Sequence, residues 1–203
     1  MQNVVSKIDG VTGAVTVNPD TTFTEAGQTR FVCPTPNGGK DFQAGAYSPL
    51  TNAMYYGLQN TCMNMTAINN PNSAYSFNSR AEITPGTDNI GTIYAISAES
   101  GKTLWKYEQR AGMMSLVATG GGLIFGGDSN GRFRAFDQDT GKVLWSVSLG
   151  SPVTGYPITY SVAGKQYVAV SVGNSLVSSG LNRLAQELHP SNASNVFVFA
   201  LPN

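Results

Sequence analysis

The chain has 203 residues, a formal net charge of zero and only 12% charged residues. No basic stripe exists to hold a phosphate backbone, which argues against nucleic acid as a partner, and no apolar run approaches the ~20 residues of a membrane span. Twenty-three glycines with nine Tyr and nine Phe describe a β-rich chain of tight turns.

Met1 is followed by QNVVSKIDG, which has neither a basic n-region nor an apolar h-region. No signal peptide is legible there, so the expectation is a cytosolic protein or a piece whose export signal lies elsewhere. The first punctuated run is KIDGVTGAVTV, residues 7–17. Next come Cys33 and Cys62, 29 residues apart, both at strand ends. As a disulfide they would close a loop worth roughly 3–4 kcal/mol in the chain-entropy model and would place the chain in an oxidising compartment. The competing reading is two buried free thiols. Two thiols and one distant histidine, His189, do not make a four-ligand metal site.

From residue 91 onward, short β-branched or aromatic runs are punctuated by Gly, Asp and Ser: GTIYAIS, GLIFGGD, GRFRAFD, KVLWSVS, QYVAVSVG and NVFVFAL. Strands of this length at this spacing predict a sandwich, barrel or propeller. The best helix-period stretch, Ser179–Leu188, puts Leu181, Leu184, Ala185 and Leu188 on one face. It lies within an insertion at about 174–195.

An internal repeat selects among the β architectures. FDQDTGKVLWSVSLG, residues 136–150, restates ISAESGKTLWKYEQR, residues 96–110. In register, Gly91 matches Gly131, Ala95 matches Ala135, Gly101-Lys102 matches Gly141-Lys142, and Leu104-Trp105 matches Leu144-Trp145. KIDGVTGAVTV is a weaker third copy, with Val17 where the Trp should stand. Each copy reads strand, turn, strand: Asp137 opens the turn and Gly141 can take positive φ. An indole buries ~200 Å² and carries one N–H that needs a partner, so Trp105 and Trp145 are expected to dock one sheet on the next.

The pattern A-x-D-x-x-T-G-x-x-x-W resembles the tryptophan-docking motif of the eight-bladed propeller quinoproteins, the dehydrogenases that use pyrroloquinoline quinone (PQQ). VCPTPNGGKDFQAGAYSPLTNAMYYGLQNTCMN is similar to that family's C-P segment, with its Tyr-x-Pro turn and second Cys. The resemblance runs from about Lys7 to Pro202 and covers the last third of such an enzyme. It implies an all-β fold: about three C-terminal blades of an eight-bladed β-propeller, residues 1–203, completed by another chain as a heterodimer. A three-blade arc leaves open sheet faces and edge strands.

For function, the resemblance implies a C-terminal subunit or fragment of a periplasmic PQQ-dependent alcohol or sugar dehydrogenase, which oxidises an alcohol to an aldehyde or ketone. Partners would be the N-terminal chain of the same enzyme and a cytochrome c as electron acceptor. The catalytic carboxylate and a calcium or lanthanide ion would be held by the partner chain, so no catalytic or metal residue is expected here. In GGKDF, Lys40 and Asp41 occupy the position that faces PQQ in the family: Lys40 could pair with a cofactor carboxylate and Asp41 could accept a hydrogen bond. Met113, beside Met114, is a candidate soft apolar liner of the cofactor face. Leu176 and Val177 stand where the family often carries a Gly-Gly-Trp loop. The alternative is a non-catalytic propeller scaffold of the outer-membrane assembly type, which has no reason to keep Cys33, Cys62 and GGKDF. The repeat argues against a stand-alone sugar-binding β-domain.

Overall fold

The computed structural model describes residues 1–73 and 76–200. In chain order the strands are β1 Val5–Ile8, β2 Val15–Val17, β3 Thr29–Val32, β4 Ala46–Ser48, β5 Ala53–Gln59, β6 Thr61–Ala67, β7 Phe77–Ile83 and β8 Gly91–Ser97. They continue with β9 Thr103–Gln109, β10 Met113–Ala118, β11 Leu123–Asp128, β12 Arg132–Asp137, β13 Val143–Ser148, β14 Ile158–Val162, β15 Lys165–Val172 and β16 Asn195–Ala200. One α-helix, α1 Leu176–Asn182, lies between β15 and β16. Among the described residues no helix is long and apolar enough to cross a membrane.

The chain divides into two compact units: residues 1–41 with 60–88, and residues 42–59 with 89 onward. The first holds the β1–β2 hairpin and a three-stranded sheet, β3-β6-β7. In it Cys33, one residue past β3, is bonded to Cys62 on β6. The same place is tied down by Asn3, whose Nδ2 donates to Phe31 O at 2.9 Å and whose Oδ1 accepts from Cys33 N at 2.7 Å.

The second unit holds three antiparallel sheets, β4-β5-β8-β9, β10-β11-β12-β13 and β14-β15-β16. The middle one explains why its sequence shows so little polar alternation. Successive side chains on a strand point to opposite faces, yet both faces of this sheet are covered. Leu116, Ile124 and Phe136 pack on Ala53, Tyr55, Ile93, Ala95 and Met113. On the other face, Phe125, Phe133 and Val147 pack with Val153, Val168, Val170, Phe197 and Phe199. Two glycines allow the close approach. A Cβ on Gly126 would lie 2.4 Å from Leu116 Cδ2, and one on Gly127 would lie 2.2 Å from Val153 Cβ.

The repeat is a joint between sheets. Trp105, on β9, donates its indole N–H to Gln138 O at 2.9 Å, in the turn between β12 and β13. Its ring covers Gly141, where an added Cβ would sit 2.5 Å from Trp105 Cε3. Tyr55 Oη donates to the same carbonyl at 3.0 Å, and Ser48 Oγ donates to Gln138 Oε1 at 2.8 Å. The turn is rigid because Asp137 Oδ1 accepts from Thr140 N, Thr140 Oγ1 and Asp139 N. Asp9 closes the weak copy in the same way, through Thr12 N, Thr12 Oγ1 and Val11 N. Those bonds hold the carboxyls of Asp9 and Asp137 below the usual range; for both, bonds from the following threonine are the leading cause. In the copy after β8, Ser97 and Ser100 stand in for Asp and Thr, with Ser100 N donating to Ser97 Oγ at 3.1 Å.

The predicted helix is displaced. It forms three residues earlier than the periodicity indicates, because Ser175 makes a capping box with Ser178 and so satisfies the first orphan N–H groups. It stops at Asn182, and Leu184, Ala185 and Leu188 follow in turns closed by Leu184 N→Leu181 O, Ala185 N→Asn182 O and Leu188 N→Ala185 O.

Candidate functional site

In the first unit the candidate residues are Lys40 and Asp41. The segment that carries them leaves β3 through the cis Cys33–Pro34 bond. The disulfide anchors it, as does Thr35 N donating to Thr61 O at 3.1 Å. Gly38 N then returns to Thr35 O at 2.7 Å. Gly38 has φ +77°, and a Cβ there would meet Lys40 O at 3.0 Å, so the turn requires glycine. Lys40 and Asp41 follow, both exposed, with Lys40 Nζ donating to Asp41 O at 3.3 Å. The ammonium retains donors for an anionic group.

In the second unit the candidates Met113, Leu176 and Val177 lie among connections that meet at one end of the stacked sheets, opposite the Trp105 joint. The β9–β10 and β11–β12 connections are bonded to each other: Gly112 N donates to Ser129 Oγ at 3.1 Å and Ser129 N to Gly112 O at 2.8 Å. The insertion after β15 lies over both. Asn182 Nδ2 donates to Ser129 O at 2.9 Å, and a Cβ on Gly112 would strike Leu181 Cδ1 at 2.4 Å. Ser191 N donates to Gly150 O at 2.7 Å, tying the insertion to the β13–β14 connection as well.

Met113 is fully buried in the core between the first two sheets. Gln59 Nε2 donates to its carbonyl and Gln109 Nε2 to its sulfur. Leu176 is 93% exposed at the start of α1, and Val177 is half-buried beside it. The structure thus brings Met113 and the α1 segment to the same end, with only α1 presenting apolar surface outward. Among the described residues, three buried side-chain amide oxygens around Gly112 have no protein donor: Gln59 Oε1, Gln109 Oε1 and Asn182 Oδ1.

Sequence reasoning missed the residues that hold the insertion down. Arg110 Nε donates to Glu187 Oε1 at 2.5 Å, and its Nη2 donates to Leu184 O at 3.0 Å. The guanidinium holds the exposed Glu187 carboxyl below the usual range. Arg110→Ala is expected to leave global stability nearly unchanged, because the pair is exposed to solvent. It should nevertheless speed amide hydrogen exchange across residues 183–188, measured by mass spectrometry. Acid should mimic the variant: a depressed carboxylate contributes above its unfolded pKa and loses that contribution as pH falls through the folded one.

Two four-stranded antiparallel sheets, joined by Trp105 seated on the Thr140-Gly141 turn, have the form of neighbouring blades of a β-propeller. Residues 102–168 match the family described as PQQ: Glucose/ethanol/alcohol dehydrogenase, beta-propeller domain. The chain is 38% identical over 153 residues to the lanthanide-dependent methanol dehydrogenase of Methylacidiphilum fumariolicum (strain SolV), covering 71% of this chain and 25% of the relative. It is 34% identical over 193 residues to the alcohol dehydrogenase (quinone), dehydrogenase subunit, of Acetobacter aceti, covering 85% and 25%. Among solved structures it superposes on a europium-containing methanol dehydrogenase with a TM-score of 0.87 and 30% identity, over 99% of this chain and 40% of that one. The chain belongs to the quinoprotein alcohol dehydrogenase family, and it spans about a quarter of the length of these two relatives.

Proposed function

We propose that the chain is the C-terminal part of a PQQ-dependent alcohol dehydrogenase, residues 1–203 of one propeller domain with an insertion at about 174–195, and that it contributes cofactor-binding residues. The supporting observation is the likeness of nearly the whole chain to a methanol dehydrogenase propeller at 30% identity. The relatives matched at this level are dehydrogenases, which favours the enzyme over a scaffold.

The residues present suit the group. Lys40 offers an exposed ammonium for a carboxylate, and Asp41 an exposed acceptor for a ring donor. Leu176 and Val177 offer apolar surface. Met113 is fully buried between two sheets, so it would act from behind the pocket by packing rather than by touching the cofactor. Bound PQQ supplies the two-electron acceptor for oxidising an alcohol or sugar hydroxyl to an aldehyde or ketone. What this chain does is bind and orient: the disulfide fixes the turn bearing Lys40, and Arg110 fixes the insertion bearing Leu176. The general base and a calcium or lanthanide ion belong to the N-terminal chain of the same enzyme. A cytochrome c accepts the electrons, and the oxidising compartment that the Cys33–Cys62 bond favours is the periplasm.

The test is PQQ titration of the assembled enzyme. Lys40→Met is expected to weaken PQQ binding about tenfold or more, the value of a lost charge-assisted hydrogen bond. Unchanged affinity in both Lys40→Met and Asp41→Ala would overturn the assignment of this turn to the cofactor.

A further inference from the structure

We propose that Asn37 is a covalent modification site: its side-chain amide is converted to a carboxylate through the main-chain nitrogen of Gly38, and the Cys33–Cys62 bond keeps that reaction slow. The site is separate from alcohol oxidation and does not depend on PQQ.

The chain has two Asn-Gly pairs, 37–38 and 130–131. In such a pair no side chain shields the nitrogen of the second residue. Base takes the proton of Gly38 N, the nitrogen attacks Asn37 Cγ, and ammonia leaves from the side chain. Water then opens the cyclic imide at either carbonyl, giving aspartate or isoaspartate. Water is consumed and ammonia released, with nothing oxidised or reduced.

The structure makes this reaction conditional. Asn37 is exposed, but the nitrogen that must attack is engaged, because Gly38 N–H donates to Thr35 O at 2.7 Å. That bond holds the proton and keeps the nitrogen from swinging onto the side chain. Thr35 is held in turn: it lies two positions past Cys33, and its N donates to Thr61 O at 3.1 Å, next to Cys62. The bridge therefore fixes the upstream end of the turn. Modification proceeds only while the turn is open, so its rate follows the open population.

Asn130-Gly131 is the contrast within the same chain. Asn130 N and Arg132 N both donate to Asp128 Oδ1 at 2.9 Å, and Arg134 Nη1 donates to the other oxygen of that buried carboxylate at 2.7 Å. Gly131 O accepts from Leu149 N at 2.8 Å. None of these bonds involves the bridge. The consequence at Asn37 is lasting. Either product adds a negative charge three positions from Lys40. Isoaspartate also lengthens the main chain by one carbon, so the turn cannot close on Thr35 O as before.

The experiment incubates the chain at alkaline pH and follows each asparagine by peptide mapping and mass spectrometry, with isoaspartate separated by chromatography. Wild type is compared with the Cys33→Ser/Cys62→Ser double variant, Asn3→Ala and Asn37→Gln. Modification at Asn37 is expected to be at least about tenfold faster in the double variant, since loss of the anchor raises the open population. Asn130 should keep its rate, and Asn37→Gln should remove the signal at that position. Asn3→Ala keeps the bridge and removes the two bonds that brace the main chain at Cys33, so its rate should fall between. Amide exchange of the β6–β7 ladder reports whether the sheet persists; if the double variant loses it, Asn3→Ala decides. Equal rates at Asn37 in wild type and in every variant that retains the sheet overturn the guarding role of the bridge. Modification of Asn130 ahead of Asn37 in the double variant overturns the site itself.

Discussion

Trp105→Ala is expected to cost the second unit about 3–5 kcal/mol, the range for truncating a packed tryptophan. The loss has three parts. The ring leaves the face of Gly141, the Tyr55 ring at 5.7 Å loses its neighbour, and Gln138 O loses one of its two side-chain donors. Trp105→Phe keeps part of the ring contact and loses the N–H, and should cost less, about 1–2 kcal/mol for the hydrogen bond. Gly141→Ala attacks the same joint from the other side. Its Cβ would sit 2.5 Å from the indole, on a residue with φ +71°, a backbone region that a side chain enters at a cost. Urea unfolding followed by circular dichroism measures all three. A loss below about 1 kcal/mol for Trp105→Ala would show that the repeat is decorative rather than the joint between sheets.

The second large effect is expected in the first unit. Replacing Cys33 and Cys62 by serine should remove roughly 3–4 kcal/mol, because the bond closes a loop across a separation of 29 residues. The effect should be local. Exchange of the β3 and β6 amides should accelerate, since the bond lies next to their ladder, whose last pair is Val32 with Met63. The turn carrying Lys40 hangs from the same anchor, so the double variant should also weaken PQQ binding in the assembled enzyme. Equal stability with and without reductant would contradict this role.

Much of the fold could be read in advance because a propeller repeats its turn chemistry. Asp137, Thr140 and Gly141 together close one turn, and the same set recurs at Asp9, Thr12 and Gly13. The bridge was likewise legible from two cysteines at strand ends. Other features carry no sequence signal. Gln138 is central to the joint through its backbone carbonyl, which any residue could offer, and only its Oε1 contact with Ser48 needs glutamine. The start of α1 was misjudged because Ser175 and Ser178 set it through a cap, whereas the apolar spacing of Leu181 to Leu188 continues into turns. The role of Arg110 was invisible because Glu187 lies 77 positions away. Of the proposed cofactor residues, Lys40 and Asp41 stand exposed on an anchored turn, and Leu176 is exposed at a helix start. Met113 is enclosed in the core, where a methionine fills space.

The central claim is that the sheets of the second unit are a piece of a larger stack. Ile158, Tyr160, Val162, Val196 and Val198 are all more than a third exposed. Strand alternation and the pairings Ile158–Ala169, Tyr160–Tyr167, Ala169–Val198 and Ser171–Val196 put them on one face of the last sheet. A face of that composition is built to be covered. Sedimentation equilibrium of native material tests this most directly. The account predicts that the chain sediments together with further dehydrogenase polypeptide, and that Ile158→Lys or Val198→Lys releases it. A soluble 21.4 kDa monomer that stays dispersed and does not bind a hydrophobic dye would contradict it.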